Sequence, residues 1–351
     1  MMTFFQNKKW MPSTLLNGSR LSVSRDFLFV VILSLSFLGS AEGAFFLSRG
    51  ETGFSFLKIP LSARGVGLAG AFTSVEGDVG ALDYNPAGLS GLSQRDITFS
   101  HIQHIEEASL QSFSVGFPFR PHRFSKDRRN NPEVNPDKVF LGFQYRLFRI
   151  ENDQRNELGL HLGSFENRNQ LIHLGMAYRF SSSLSMGWGG KLINSELQNK
   201  SITLYAFDAG FIWKPSSEWS WGLSLLNGGP SKAFLEEKDP LPLLVRIGAS
   251  RQARSVRFLG DVAISREKTI QPASAMEWNF ARLLHLRGGV LYHTTIEFSG
   301  GIGIHFSPPG LQQKGNNPHQ QSQKLQFGVD YAVQTQNELG LSHTVTLKIL
   351  Y

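Results

Sequence analysis

From residue 96 to the end of the chain, apolar and polar side chains alternate with a period of two. In 325–333, Leu325, Phe327, Val329, Tyr331 and Val333 share one face, while Gln326, Gly328, Asp330 and Ala332 share the other. In 255–265, Val256, Phe258, Val262 and Ile264 oppose Arg257, Asp261 and Ser265. In 243–250, Leu243, Val245, Ile247 and Ala249 oppose Arg246 and Ser250. In 205–213, Tyr205, Phe207, Ala209, Phe211 and Trp213 oppose Asp208. One apolar face at this period is the signature of a half-buried strand. The pattern predicts strands near 96–104, 109–119, 139–150, 169–180, 184–195, 201–214, 218–227, 241–252, 255–266, 272–281, 283–292, 295–306, 324–334 and 341–351, about fourteen in all. Residues 158–166 read either as an extra strand or as part of a long loop.

Many of these segments run about ten residues, the length of a tilted membrane-spanning strand. Tight connections at 214–218, 253–255 and 281–282 fall on alternate turns and so belong to one end of a barrel. Connections at the other end include 151–168, 228–240, 267–271 and 335–340. Short turns at one end and longer loops at the other are the mark of an outer-membrane barrel, whose short turns face the periplasm. Two polar segments, 120–138 and 307–323, fall on the short-turn side and read as flexible turns. A soluble β-sandwich is the competing fold, but its strands average about five or six residues. The expected fold is therefore all-β, a transmembrane barrel of about fourteen antiparallel strands.

The N-terminus reads as an export signal. Lys8, Lys9, Arg20 and Arg25 precede an apolar run at 27–39, and small residues follow, with Ala41 and Gly43 placed for cleavage before Ala44. A single anchor helix is the alternative, but the run is short for one. Met11 is a second candidate start. No later segment approaches 18 consecutive apolar residues, so a membrane-embedded mature chain must cross as a closed barrel. The expected organisation is a signal at 1–43, a separate segment at 44–93 and a barrel at 94–351, placed in the cell outer membrane.

Composition agrees with this reading. Of 351 residues, 18% are charged, 35 are Gly and 28 are Phe, which suits a turn-rich β chain. The absence of cysteine removes disulfides, thiolate metal sites and a lipidated N-terminal Cys. The net charge of +7 includes the basic leader.

Residues 64–72, RGVGLAGAF, place Gly65, Gly67 and Gly70 in the spacing of a dinucleotide-binding loop. Such a loop must follow a buried strand and open a helix. Here Pro60 interrupts the preceding stretch, and Gly77, Gly80 and Pro86 fit a following helix poorly. The glycines point instead to close backbone approach and unusual dihedrals, and Asn85-Pro86 points to a fixed turn.

Residues 54–89 resemble the N-terminal segment of PorV/PorQ-like outer-membrane proteins, relatives of the FadL-type transporters of hydrophobic compounds. The matching residues are Phe56, Leu57, Lys58, then Ala63, Arg64, Gly67, Gly70, Ala71, Phe72, then Ala81, Leu82, Asn85, Pro86, Ala87, Gly88 and Leu89. Leu68-Ala69 departs from the family's frequent Met-Gly, and Asp83 stands at a position that is often uncharged. The closing strands, including 327–351, resemble the same family. The resemblance implies a fourteen-stranded barrel with its N-terminal segment folded into the lumen as a plug. Phe56, Leu57, Lys58, Arg64, Gly65, Gly67, Gly70, Asn85, Pro86, Ala87 and Gly88 are then the plug motif, as ligand contacts or as packing alone. The aromatic end at Tyr351 is the type of signal that barrel-assembly machinery reads.

No nucleophile, zinc or phosphate-loop motif is evident, and neither enzyme activity nor a cofactor is expected. His101 and His104, three apart on a strand, face opposite sides and make a poor metal pair. The basic run at 120–129 reads as a solvated turn rather than a nucleic-acid surface. Asp208, Arg246, Arg257, Asp261, Arg287, Asp330 and Lys348 lie on polar strand faces and should point into the lumen. They are expected to pair with one another, to anchor the plug, or in part to meet an amphiphile's carboxylate. Gly189-Gly190, Gly288-Gly289 and Gly300-Gly301 are candidate kinks or sites of tight packing. Three functions compete: passive uptake of a hydrophobic or amphipathic small molecule such as a fatty acid, a protein-secretion (type IX-like) or interaction barrel with a protein partner, and a barrel enzyme. Outer-membrane lipid surrounds the chain in each.

Overall fold

The computed structural model describes residues 54–104, 108–119, 138–155, 158, 160–197, 200–230, 232–233, 238–267, 269–280, 283–308, 325–336 and 340–351. The expected leader at 1–43 lies outside the described residues, as do most of the polar segments 120–138 and 307–323.

Fourteen antiparallel strands close into a barrel. They are β1 (Asp96–Gln103), β2 (Ser109–Phe119), β3 (Val139–Arg155), β4 (His161–Arg179), β5 (Leu184–Leu197), β6 (Lys200–Trp213), β7 (Trp219–Gly228), β10 (Leu244–Ala253), β11 (Val256–Ser265), β12 (Ile270–Asn279), β13 (Leu284–Tyr292), β14 (Ile296–Phe306), β15 (Gln326–Thr335) and β16 (Leu341–Leu350). A two-stranded ribbon, β8 (Lys232–Ala233) and β9 (Lys238–Asp239), interrupts the connection from β7 to β10. The seam joins β1 to β16, from Asp96 opposite Leu350 to Gln103 opposite His343. Closure gives every barrel strand two partners and leaves the barrel no sheet edge.

Each expected strand overlaps an observed one, with one correction. No long loop fills 151–168: β3 continues to Arg155 and β4 begins at His161. These two strands have 17 and 19 residues, well beyond the roughly 9–11 needed to span a bilayer. On their outer face the apolar positions Ile172, Leu174 and Met176 give way to Arg168 and Glu166, and Glu166 pairs with Arg149 across the hairpin. The hairpin therefore runs past the apolar band.

Elsewhere the outer face is that of a membrane protein. Ile172, Leu174, Phe207, Leu223, Phe298, Ile304, Val329 and Leu347 are exposed apolar side chains around the wall. Aromatic pairs cluster toward the end that carries both barrel termini: Tyr178 with Phe180, Trp219 with Trp221, Trp278 with Phe280, and Phe306 with Phe327. Such a girdle belongs at a bilayer interface. We call this the terminal end and the opposite one the far end.

Residues 54–92 lie inside the barrel as a chain of short helical turns. Short polar side chains start three of them. Ser62 Oγ accepts from Gly65 N at 3.0 Å, Asp78 Oδ1 from Gly80 N at 2.8 Å, and Asn85 Oδ1 from Ala87 N at 3.0 Å. Asn85-Pro86 is thus a capped helical start rather than a plain turn, with Pro86 at the first helical position where its missing N–H costs nothing. Ala63, Leu68, Phe72, Val79, Leu82 and Leu89 are at most 1% exposed, so the plug supplies the core of an otherwise hollow sheet.

Candidate functional site: the plug and its seat

The inner wall makes room for the plug with glycine. A Cβ at Gly210 would meet Asn85 Oδ1, one at Gly187 the Ala87 nitrogen, and one at Gly222 the Thr73 carbonyl. These inward glycines lie on β5 and β6, where the NPAGL stretch packs, and on β7, where Thr73 does. With the backbone this close, Asn85 Nδ2 donates to Phe211 O on β6 at 3.0 Å and to Thr73 O at 2.8 Å. Asn85, Ala87 and Leu89 have no exposed surface, and Pro86 and Gly88 are buried with them.

The nucleotide-like glycines have the same role. Gly65 and Gly67 sit in a five-residue helix, Ala63–Gly67. Gly67 would put a Cβ 3.2 Å from the Gly301 Cα on β14. Gly70 has φ +75, a left-handed geometry that glycine adopts freely. Gly189, Gly289 and Gly301, one from each candidate kink pair, face inward against His173, Ala69 and Gly67 and lie within continuous strands. Tight packing is what these pairs provide.

Charged side chains then clamp the plug. Arg64 Nε and Nη2 donate to the two oxygens of Glu277 at 2.9 and 2.8 Å, and Nη1 donates to Asp78 at 3.1 Å. Asp78 also accepts from Lys348 at 2.8 Å, and Lys348 lies 3.1 Å from Asp96. Burial alone would raise the Asp78 carboxyl, but Lys348 and Arg64 outweigh it and hold the group below the ordinary carboxylate range. Asp261 Oδ2 accepts from Phe72 N at 3.2 Å and Thr73 N at 2.9 Å, while Arg246 donates to Thr73 Oγ1 and to the Gly70 carbonyl. Lys58 reaches Glu267 at 3.0 Å.

The expected lumen charges all point inward, but they divide. Arg246 and Asp261 meet at the plug. Arg287 and Asp330 pair with each other, and Arg287 also donates to Glu277 at 3.0 Å. Asp208 stands apart in the wall, bound by Lys191 at 2.7 Å and the Asn227 N–H at 2.7 Å, with His173 at 3.3 Å. Among the described residues, Arg257 donates to Gln252 only. Tyr351 closes the seam: its N–H donates to Arg95 O at 3.0 Å, and the Arg95 guanidinium lies over its ring.

Several partners were not singled out from sequence. Asp83, which departs from the family pattern, pairs with the buried Arg146 on β3. Glu277, Asp78, Asp96, Glu267, Lys191 and His173 are others. The available signal was a charge at an inward position of an alternating strand: Arg146 opposes Leu147, and Glu277 opposes Met276 and Trp278.

At the far end the seat is apolar. Phe56 and Leu57 of the plug pack on Leu171, Ile193, Leu204, Ala206 and Leu241, with Phe148 and Ile202 beside them. The Phe56 and Phe148 rings stack at 5.9 Å. Leu61 continues this surface onto Ile102 and Leu110.

Among solved structures, the chain is similar to a Pseudomonas aeruginosa FadL homologue, with TM-score 0.54 and 11% identity over 84% of this chain and 98% of that one. The barrel and its fourteen-strand architecture match that fold. The chain is also similar to the Pseudomonas putida toluene transporter TodX, with TM-score 0.49 and 12% identity over 82% and 96% of the two chains. No family model matches, and no curated protein does. The likeness of 54–89 to PorV/PorQ-like proteins rests on its own residues.

Proposed function

We propose that this chain is an outer-membrane barrel that passes hydrophobic or amphipathic molecules, fatty acids among them, by passive movement without covalent chemistry or cofactor. The far end then faces the outside and the terminal end the periplasm. The observation that carries this reading is the apolar lining at the far end. Barrel lumens are ordinarily polar, yet Phe148, Leu171, Ile193, Leu204 and Ala206 turn apolar groups inward from consecutive strands. Such a surface suits an alkyl chain, and Phe56 and Leu57 occupy it while the plug is seated. The likeness of the fold to a FadL homologue supports the same reading.

A different observation favours a second reading. The plug is packed as a protein core and held by buried ion pairs, so nothing passes while it stays seated. A permanently plugged barrel is a secretion (type IX-like) or interaction component that recognises a protein partner at its rim. Native mass spectrometry of the chain, gently extracted from its own membrane, separates the two. A bound fatty acid or other apolar molecule, displaced by competitors and weakened by Ile193→Asp, is expected for transport. A stoichiometric protein partner with no small molecule would replace that reading with the second.

A further inference from the structure

We infer that the terminal end of the lumen holds a binding site for an oxyanion, a carboxylate or phosphate group, anchored on the Arg257 guanidinium. Arg257 stands one residue into β11, on the inward face, just past the turn at 254–255. Its Nε donates to Gln252 Oε1 at 3.0 Å. Its partner across the ladder is Glu277, but that carboxylate is already engaged. Glu277 Oε1 accepts from Arg64 Nε and Arg287 Nε, and Oε2 accepts from Arg64 Nη2. Among the described residues, Arg257 has no carboxylate within ion-pair distance. A partly buried cation left in this state is unusual, because buried charges are ordinarily paired.

Two cavities meet at this side chain. One, of about 210 Å³, lies against Arg64, Glu277 and Arg287. The other, of about 340 Å³, is lined by Ser74, Glu76, Arg179, Lys214 and Ser250. Its carboxylates are also engaged: Glu76 pairs with Lys214 and accepts from Ser90 Oγ at 2.8 Å, and Glu218 lies 3.4 Å from Arg251. Among the described residues, Arg179 is a second guanidinium here without a carboxylate in ion-pair distance. One of its nitrogens donates to the Ser90 carbonyl, and its plane covers Phe140. Two guanidiniums and serine hydroxyls thus face a cavity whose acids are spoken for. The volume holds a phosphate or carboxylate with several waters, at roughly 30 Å³ per water. The two free nitrogens of Arg257 form the fork that binds such groups bidentately.

The oxyanion has two sources, a free anion entering from the aqueous phase or the head group of an amphiphile that has traversed the lumen. The site stands on the Arg257 geometry and holds under either reading of the function. Isothermal titration of the full chain in detergent, with inorganic phosphate, octanoate and uncharged octanol as probes, tests it. Saturable binding of phosphate or octanoate is expected, with no competition from octanol. Arg257→Gln should weaken that binding at least tenfold, Arg257→Lys less, and Lys200→Gln, at the far end, not at all. Arg179→Gln, expected to weaken it severalfold, serves should Arg257→Gln fail to fold. Equal affinity for phosphate and octanoate identifies a solution oxyanion. Octanoate bound at least tenfold more tightly identifies a head group. No saturable binding to the native chain, or binding unchanged in folded Arg257→Gln and Arg179→Gln, overturns the site.

Discussion

Glu277→Gln tests the clamp on the plug. The Glu277 carboxylate accepts two bonds from Arg64 of the plug and one from Arg287 of the wall. Its side chain is 4% exposed, and Arg287 is 1% exposed. Glutamine keeps the shape but removes the charge, which leaves Arg64, Arg287 and Arg257 facing a neutral amide. Removing one partner of a buried pair costs about 3–5 kcal/mol. Arg64 keeps Asp78 and has 19% of its side chain open to a cavity, so the low end applies. At 1.4 kcal/mol per tenfold, about 3 kcal/mol raises plug opening roughly a hundredfold. Hydrogen exchange read at 63–67 in the folded barrel should report that rise, while exchange in β2 and β3, on the opposite wall, stays at the native rate. The double variant Arg64→Gln/Glu277→Gln should recover part of the loss, because the plug then presents no unpaired charge to the amide. Native protection in Glu277→Gln, or strict additivity in the double variant, would refute the idea that this pair clamps the plug.

Three further outcomes are expected. Gly67→Val drives a Cβ to within 3.2 Å of the Gly301 Cα; overpacking of this type costs about 1–3 kcal/mol, and limited proteolysis of the plug should accelerate while the barrel keeps its β-sheet circular dichroism. Asp78 is held below its ordinary value of 3.8, so its charged form contributes stability above that pH, and the contribution drains only as pH falls through the depressed folded value. Plug protection should therefore survive acidification past 3.8 in the native chain, whereas Lys348→Gln, which leaves Asp78 with Arg64 but without its lysine, should lose it at a higher pH. Phe56→Ala removes a ring that is 3% exposed; a cost of about 3–5 kcal/mol should appear as faster exchange at 54–61, with the barrel's thermal midpoint unchanged.

The sequence by itself determined the barrel. Alternation of period two is a local property, set by which side chains tolerate lipid and which require a polar interior, so Val329, Tyr331 and Leu347 could be assigned outward and Asp330, Arg246 and Asp261 inward from their neighbours alone. The length of the β3–β4 hairpin was less legible, because beyond the bilayer both faces meet water and the alternation loses its meaning at residues such as Arg149, Glu166 and Arg168. Only the tertiary structure decided the pairing of the charges. Arg64 and Glu277 are separated by 213 positions, and Asp78 and Lys348 by 270, distances over which no periodicity carries information. The same closure assigned the glycines. Gly210 and Gly187 read as ordinary strand residues until Asn85 and Ala87 lie against them. It also left Arg257 without its cross-strand partner, because an arginine 213 positions before Glu277 reaches that carboxylate first. A strand's faces follow from its own residues, but what fills the space those faces enclose depends on how the whole chain closes around it.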